Sequence, residues 1–163
     1  MGVAGSGKTS IGKALAARLG APYKDADIFH PQANIDKMAA GHSLSDEDRW
    51  PWLSALCDDL KITQGLVIAG CSALKRAYRD FITKTVGEPV KFIYLNGSKD
   101  LICNRMTSRK GHFMPTSLLN SQFETLEIPD LNENAISVDI SGTEQQVLDS
   151  IISQLNNPSR RTA

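Results

Sequence analysis

Residues 2–9 read Gly2-Val3-Ala4-Gly5-Ser6-Gly7-Lys8-Thr9 and fit the pattern G-x-x-x-x-G-K-[ST] at every fixed position. Phosphate oxygens need several backbone N–H groups that converge at close range, and glycines permit the backbone dihedrals and the close approach that this requires. Lys8 adds a mobile positive charge for the β- and γ-phosphates, and the Thr9 hydroxyl can ligate Mg²⁺. All eight residues are therefore predicted to bind a nucleoside triphosphate, with Lys8 also catalytic.

The sequence that follows the loop alternates between helical and strand-like patterns. Ile11, Leu15 and Leu19 recur at fourfold spacing before Gly20, which predicts a helix that ends at a glycine. Short apolar runs predict strands, and helical patterns fill the gaps between them. The predicted strands are 22–24, 66–70, 90–95 and 135–140, and the further helices are 73–85, 98–110, 116–127 and 143–155. This alternation predicts one α/β domain over 1–163, with a parallel sheet flanked by helices.

The start of the chain departs from the usual order of this motif. A phosphate loop normally follows a buried strand that lies centrally in the sheet, whereas only Met1 precedes Gly2 here. We expect Met1 and Gly2 to form the end of such a strand and the strand itself to be truncated. A chain lacking this strand is expected to be less stable and less active.

Residues 31–65 interrupt the alternation with helix-forming and charged residues. Ser45 precedes three acidic residues, a pattern that favours a helix start because acidic side chains offset the positive end of the helix dipole. Pro51 is expected to break or restart that helix, since proline removes a hydrogen bond from the helix interior. The segment is predicted to be a helical insertion beside the sheet.

Composition argues against several classes of function. Eighteen basic residues balance eighteen acidic ones, whereas nucleic-acid-binding proteins usually carry a basic excess. Three cysteines without metal-site spacing suit a reducing cytoplasm better than a disulfide scaffold. No apolar run approaches the roughly 20 residues that a membrane-spanning helix needs. We therefore expect a cytoplasmic protein with no nucleic-acid or membrane partner.

Two acidic residues follow the strand predicted at 22–24, which is the second strand when the truncated one is counted. They suggest which side chain contacts the hydroxyl of a phosphoryl acceptor. Asp25 and Asp27 follow 22–24, and a carboxylate there can face the phosphate loop across the cleft. Such a carboxylate could accept or orient the proton of a substrate hydroxyl, and Asp27 is the predicted catalytic group. His30 lies close to the predicted acceptor position. The chain lacks the N-K-x-D motif that reads guanine, which disfavours a GTPase.

Several further blocks occur in a characteristic order after the loop. They are Phe29-His30-Pro31, Asn34-Ile35-Asp36-Lys37-Met38, Leu44-Ser45-Asp46-Glu47-Asp48-Arg49, Pro51-Trp52-Leu53, Cys71-Ser72-Ala73-Leu74-Lys75, Tyr78-Arg79-Asp80, Arg109-Lys110-Gly111-His112-Phe113 and Ser121-Gln122-Phe123-Glu124-Thr125-Leu126-Glu127. Together, over about residues 1–140, they resemble the gluconokinase family. The resemblance implies a P-loop fold of the adenylate or shikimate kinase type, in which the insertion closes over the acceptor and a lid, about 105–120, closes over ATP. It also implies transfer of phosphate from ATP to D-gluconate, and assembly into homodimers.

Gluconate is an anion with many hydroxyls, so its site needs a cation for the carboxylate. Arg49 is the first candidate because a guanidinium can hold a carboxylate through two hydrogen bonds. Lys75 and Arg79 lie one helical turn apart and are the second candidates. Asp27 and His30 complete the predicted substrate contacts, and Arg105 and Arg109, also four residues apart, are predicted to stabilise the transferring phosphoryl group.

Two other hypotheses about the function stay open on the sequence alone. One is a kinase for another small acceptor, such as shikimate or a nucleoside monophosphate. The other is an inactive nucleotide-binding module. A nucleic-acid kinase is a weaker third reading.

Overall fold

The computed structural model describes residues 1–108 and 116–156. Strands alternate with helices along most of this length, as the sequence predicted. The strands are β1 (Tyr23–Asp25), β2 (Ile68–Gly70), β3 (Phe92–Asn96) and β4 (Ala135–Asp139). The helices are α1 (Lys8–Leu19), α2 (Gln32–Ala39), α3 (Asp46–Ile62), α4 (Arg76–Val86), α5 (Lys99–Ser108), α6 (Thr116–Thr125) and α7 (Glu144–Asn156), and a short 3₁₀ helix spans Ala26–Phe29.

The strands form two parallel pairs that are joined through the start of the chain. β1 pairs with β2, from Tyr23 opposite Ile68 to Asp25 opposite Gly70. β3 pairs with β4 in the same parallel sense. Between the pairs, the Met1 amine donates to Ile93 O and the Met1 carbonyl accepts from Leu95 N at 3.0 Å. Gly2 N donates to Ser72 O at 3.1 Å, so Met1 and Gly2 hold the position expected for the end of a central strand.

Two hydrophobic clusters enclose the strands. One is built around α1 and α7, with Leu15 and Ile151 buried in it. The other lies around α3 and α4, with Leu56 and Ile82 buried in it. Helices therefore cover both faces of the parallel strands, the arrangement that sheets of this kind require.

The insertion consists of α2 and α3, and it corrects one prediction. The predicted break at Pro51 is wrong, because α3 runs unbroken from Asp46 to Ile62 with Pro51 inside it. A capping box secures the first turn, since the Ser45 side chain accepts from Asp48 N and the Asp48 side chain accepts from Ser45 N. Directly after the proline, Trp52 and Leu53 are buried. This packing and the cap offset the one backbone hydrogen bond that proline removes.

Candidate active site

The phosphate loop ends where α1 begins, and its backbone leaves an anion site open. Gly5 and Gly7 have φ angles of 78° and 95°, in the left-handed region that favours glycine. No side chain caps the N-terminus of α1, and no acidic residue lies in its first turn. The N–H groups of that turn and the positive end of the helix dipole are thus available to a phosphate.

The loop also passes a test of fit for a phosphate chain. A side chain at Gly5 would bring a Cβ within 2.7 Å of the Met106 side chain, so only glycine fits there between the loop and α5. Ser6 Oγ is buried and has no hydrogen-bond partner in the described part of the chain. A loop shaped by glycine, with an orphaned hydroxyl and an uncapped helix behind it, fits bound phosphate groups.

Lys8 is held at the loop rather than directed into solvent. Its Nζ donates to Val3 O at 3.0 Å. Burial lowers the pKa of Lys8, and the negative charges of Asp27 and Asp25 act in the opposite direction. A lysine with this reduced solvation gains from contact with phosphate oxygens, as its predicted role requires.

We expect the free energy of unfolding to rise as the pH increases from about 5 to 8. Burial lowers the pKa of the Met1 amine from 8.0 to about 5, and the nearby Lys8 charge lowers it further in the same direction. Between those values the unfolded chain binds more protons at this amine than the folded chain, so stability increases with pH, and the contribution of the amine levels off above 8. The three-unit shift corresponds to at most about 4 kcal/mol.

Urea unfolding at pH 5.5 and pH 8 measures this effect. Chain acetylated at the Met1 amine is the control, and its stability should change less over the same interval. His30, whose pKa burial also lowers, contributes a residual change of the same sign. Equal stability of the unacetylated chain at both pH values contradicts the expectation.

Asp25 is a site residue whose role the sequence did not resolve. Its Oδ2 accepts from the Thr9 hydroxyl at 3.4 Å, which places a carboxylate beside the predicted magnesium ligand. Its Oδ1 accepts from Asp27 N at 3.2 Å, so the side chain also caps the 3₁₀ helix. In the described residues no group of three or more His, Cys, Asp or Glu side chains could hold a metal. Thr9 and Asp25 thus fit a magnesium ion that takes most of its ligands from phosphate and water.

Asp27 and His30 lie three residues apart, shortly after β1, and differ sharply in exposure. The side chain of Asp27 is 74% exposed and that of His30 only 7%, and Asp27 Oδ1 lies 4.0 Å from His30 Nε2. The His30 ring packs on Trp52 with centroids 4.4 Å apart. Asn34 Nδ2 lies 3.4 Å from His30 Nδ1, and this contact leaves Nε2 directed at Asp27. His30 therefore lies next to Asp27, at a distance longer than a hydrogen bond.

The predicted cations Arg49 and Lys75 converge on one carboxylate of the protein itself. Lys75 Nζ contacts both oxygens of Asp46 at 2.8 Å, and Tyr78 donates to Asp46 Oδ1. Arg49 Nη1 lies 3.8 Å from Asp46 Oδ1 and donates to Leu44 O and to the Tyr78 hydroxyl. The cluster thus binds a carboxylate with two cations and a phenol, which is the chemistry that an acid substrate needs.

Arg79 occupies a different place from the predicted one. It is 1% exposed and forms an ion pair with Glu133, with Nη2 at 2.8 Å from Oε1. Its Nη1 donates to the carbonyls of Ala73, Leu74 and Glu127. The structure therefore does not bring Arg79 to the cluster of Arg49 and Lys75. A helical spacing of four could not reveal this, because the partner Glu133 lies far along the chain.

The structure describes only one of the two arginines that are predicted to contact the transferring phosphoryl group. Arg105 donates to Ile140 O and to Gly142 O, at the end of β4 and in the loop after it. Arg109 lies outside the described residues.

Gln122, on α6, had no role predicted from the sequence, and its Oε1 accepts from Ala4 N of the phosphate loop at 2.6 Å. Helix α6 thus contacts the loop directly.

Comparison with known proteins identifies the relatives of this chain. The thermosensitive gluconokinase of Escherichia coli K12 is 49% identical over 148 residues, which cover 86% of this chain and 77% of that protein. The chain belongs to the gluconokinase family. The gluconokinase of Gluconobacter oxydans 621H is 43% identical over 157 residues, covering 93% of this chain and 86% of that protein.

Family and structure comparisons agree with this membership. The family model for shikimate kinase matches residues 4–156. The crystal structure of a gluconokinase from Sinorhizobium meliloti 1021 superposes with a TM-score of 0.90 at 41% identity, covering 97% of this chain and 90% of that chain. The predicted P-loop kinase fold is confirmed, as is the resemblance to the gluconokinase family. Kinases of this family use ATP.

No described helix is long and apolar enough to cross a membrane.

Proposed function

We propose that this chain transfers the γ-phosphate of ATP to a hydroxyl of D-gluconate, giving ADP and 6-phospho-D-gluconate. The observation that carries the proposal is a link between two sites, because Gly2 N of the phosphate loop donates to Ser72 O at 3.1 Å and Lys75 follows Ser72 by three residues. The phosphate loop leads into α1, and the cation cluster of Arg49 and Lys75 lies at the start of α3 and α4. Burial lowers the pKa of Lys8 and the Asp27 charge acts in the opposite direction, which supports an Asp27 carboxylate that faces the loop.

Each group then has a defined task. The amides of the loop and Lys8 bind the phosphates, and Asp27 orients the acceptor hydroxyl and takes up its proton. Thr9 and Asp25 would hold Mg²⁺, which neutralises charge on the phosphates when bound. His30, which packs on Trp52 and lies 4.0 Å from Asp27, would contact the acceptor beside it. Arg105 and Arg109 remain proposed contacts of the phosphoryl group, although Arg105 lies on the β4 side here.

The substrate carboxylate is proposed to replace Asp46 between Arg49 and Lys75. Arg49 donates to Leu44 O, a bond that the exchange leaves in place, so the guanidinium is already ordered before the substrate binds. Lys75 would exchange its hydrogen bond to Asp46 for one to the substrate carboxylate. The α2–α3 segment would then act as the acceptor-binding insertion. Its Ser43 hydroxyl contacts the Ser121 hydroxyl of α6 at 2.8 Å, and α6 contacts the phosphate loop through Gln122.

The lid over about 105–120 stays a prediction, because residues 109–115 lie outside the described part of the chain. Homodimers and a cytoplasmic location are further parts of the proposal. Cys57 and Cys71 are buried free thiols, which suits a reducing compartment.

Arg49→Lys is expected to raise the KM for gluconate about 10–100-fold, because lysine cannot form the paired hydrogen bonds of a guanidinium and a charged hydrogen bond is worth about 1.5–3 kcal/mol. The KM for ATP should stay within about twofold. Initial rates measured by coupled ADP release over a range of gluconate concentrations give both constants.

The same assay with D-glucitol, which carries an alcohol in place of the carboxylate, tests the assignment directly. The unsubstituted enzyme should strongly prefer gluconate, and Arg49→Lys should reduce that preference. An unchanged ratio of kcat/KM for the two acceptors would place the carboxylate elsewhere.

A further inference from the structure

Helix α6 reaches both sides of the proposed transfer site through two consecutive residues. Ser121 Oγ lies 2.8 Å from the Oγ of Ser43, in the segment between α2 and α3. Gln122 Oε1 accepts from Ala4 N of the phosphate loop at 2.6 Å. The helix is held in place by packing, because Leu119 is 1% exposed within the hydrophobic cluster around α1 and α7. Gln122 therefore lies on a fixed element, at the junction between the phosphate loop and the acceptor-binding insertion.

The contact with Ala4 also fixes which way round the Gln122 amide lies. A backbone N–H can only donate, so the side-chain atom that faces Ala4 N must be the carbonyl oxygen. The Nε2 group is bonded to the same carbon and therefore presents two N–H donors beside the loop. Within residues 1–108 and 116–156, Nε2 makes no hydrogen bond and is not buried. Two uncharged donors are thus available next to the bound phosphates.

We propose that Gln122 is a further catalytic residue, whose Nε2 donates a hydrogen bond to an oxygen of the transferring phosphoryl group. This inference rests on the proposed transfer from ATP to gluconate. In that step the bond from the γ-phosphorus to the oxygen of ADP breaks, the bond to the gluconate oxygen forms, and the hydroxyl proton passes to Asp27. Gln122 keeps both of its amide protons throughout.

The arrangement of the Gln122 amide suits this task. During transfer, negative charge spreads over the equatorial oxygens of the phosphoryl group, and donors that are oriented in advance stabilise that charge. The hydrogen bond from Ala4 N holds Oε1, so the orientation of Nε2 is set before the phosphoryl group moves. The same side chain thus supports the loop that holds ATP and contacts the group that leaves it.

Gln122→Met keeps the length of the side chain and removes the donors. We expect it to lower kcat with gluconate by about 10²–10³-fold, the cost of losing one preorganised donor. Its affinities for ADP and for a non-hydrolysable ATP analogue should stay nearly unchanged. Gln64→Met alters an exposed glutamine in the loop after α3 and is the matched control, which should keep full turnover.

Gln122→Glu keeps the oxygen that accepts from Ala4 N and places a negative charge where the donors were. We expect the Kd of the ATP analogue to rise about tenfold or more and that of ADP clearly less, because repulsion between like charges falls with distance. Calorimetric titration of each nucleotide without acceptor measures both constants. Gln64→Glu should change neither.

The lower kcat of Gln122→Met, together with the selective loss of the ATP analogue in Gln122→Glu, supports the proposal. Absence of either effect overturns it. Equal weakening of ADP and the analogue in both variants also overturns it, since that result marks a residue that only shapes the loop. The titrations need no acceptor, so they test the position of Gln122 even where the unsubstituted enzyme does not phosphorylate gluconate, a result that would instead reject the proposed function.

Discussion

Asp27→Asn is expected to lower kcat by about 10²–10⁴-fold, the range that a positioned general base contributes. Asparagine keeps the size of the side chain and can still contact a hydroxyl, but it cannot accept the proton. The Asp27 side chain is 74% exposed and forms no ion pair closer than the 4.0 Å contact with His30, so the exchange should barely affect folding. Affinity for ATP should stay nearly unchanged, because the loop amides and Lys8 remain in place.

Two measurements separate this role from its alternatives. Calorimetric titration of ATP into the variant reports nucleotide affinity, and coupled ADP release reports turnover with gluconate. Asp149→Asn, an exposed position on α7, is the matched control and should retain full turnover. Turnover of Asp27→Asn equal to that of the unsubstituted enzyme would remove Asp27 from catalysis and direct attention to Asp25, whose carboxylate lies beside Thr9.

Arg79→Met is expected to destabilise the fold by about 3–5 kcal/mol, since it leaves Glu133 buried without its partner. The hydrogen bond from Arg79 holds the pKa of Glu133 below its ordinary value. The substitution also removes the donor to the carbonyls of Ala73, Leu74 and Glu127, which join the end of β2 to the segment after α6. Urea unfolding measures the change in free energy.

Variants around this pair distinguish a structural role from substrate binding. Arg79→Met combined with Glu133→Gln should recover part of the loss, because the uncompensated charge is gone. Arg76→Met, which breaks the half-exposed contact with Asp130, should cost less than about 1 kcal/mol. At a temperature where Arg79→Met is folded, its KM for gluconate should lie within a few-fold of the unsubstituted value. A KM raised as far as in Arg49→Lys, with stability intact, would return Arg79 to the substrate site.

Local sequence signals were enough to predict the phosphate loop and the helix after it. The loop from Gly2 to Thr9 contains its chemistry in consecutive residues, and the helix after it follows from the spacing of Ile11 and Leu15. The order of strands and helices could also be predicted, because the spacing of apolar residues within each short segment indicates which element it forms. Pro51 shows the limit of local rules, because burial of Trp52 and Leu53 keeps α3 continuous where proline alone predicts a break.

The acceptor side depended on contacts between distant parts of the chain. Arg49 and Lys75 were predicted as candidates from their charge, whereas Asp46, which contacts both, was treated only as a helix-start residue. Arg79 and Lys75 look equivalent at a spacing of four, yet one is buried against Glu133 and the other faces Asp46. Pairings of this kind are set by tertiary packing, which no pattern within one helix contains.

The most direct test of the account is ADP release measured with a panel of acceptors: D-gluconate, shikimate and a nucleoside monophosphate, each with magnesium ATP. The account predicts rapid release with gluconate, formation of 6-phosphogluconate in equal amount, and release with the other acceptors no faster than without any acceptor. Release stimulated by shikimate or the nucleotide but not by gluconate would contradict it, as would ATP binding with no release on any acceptor.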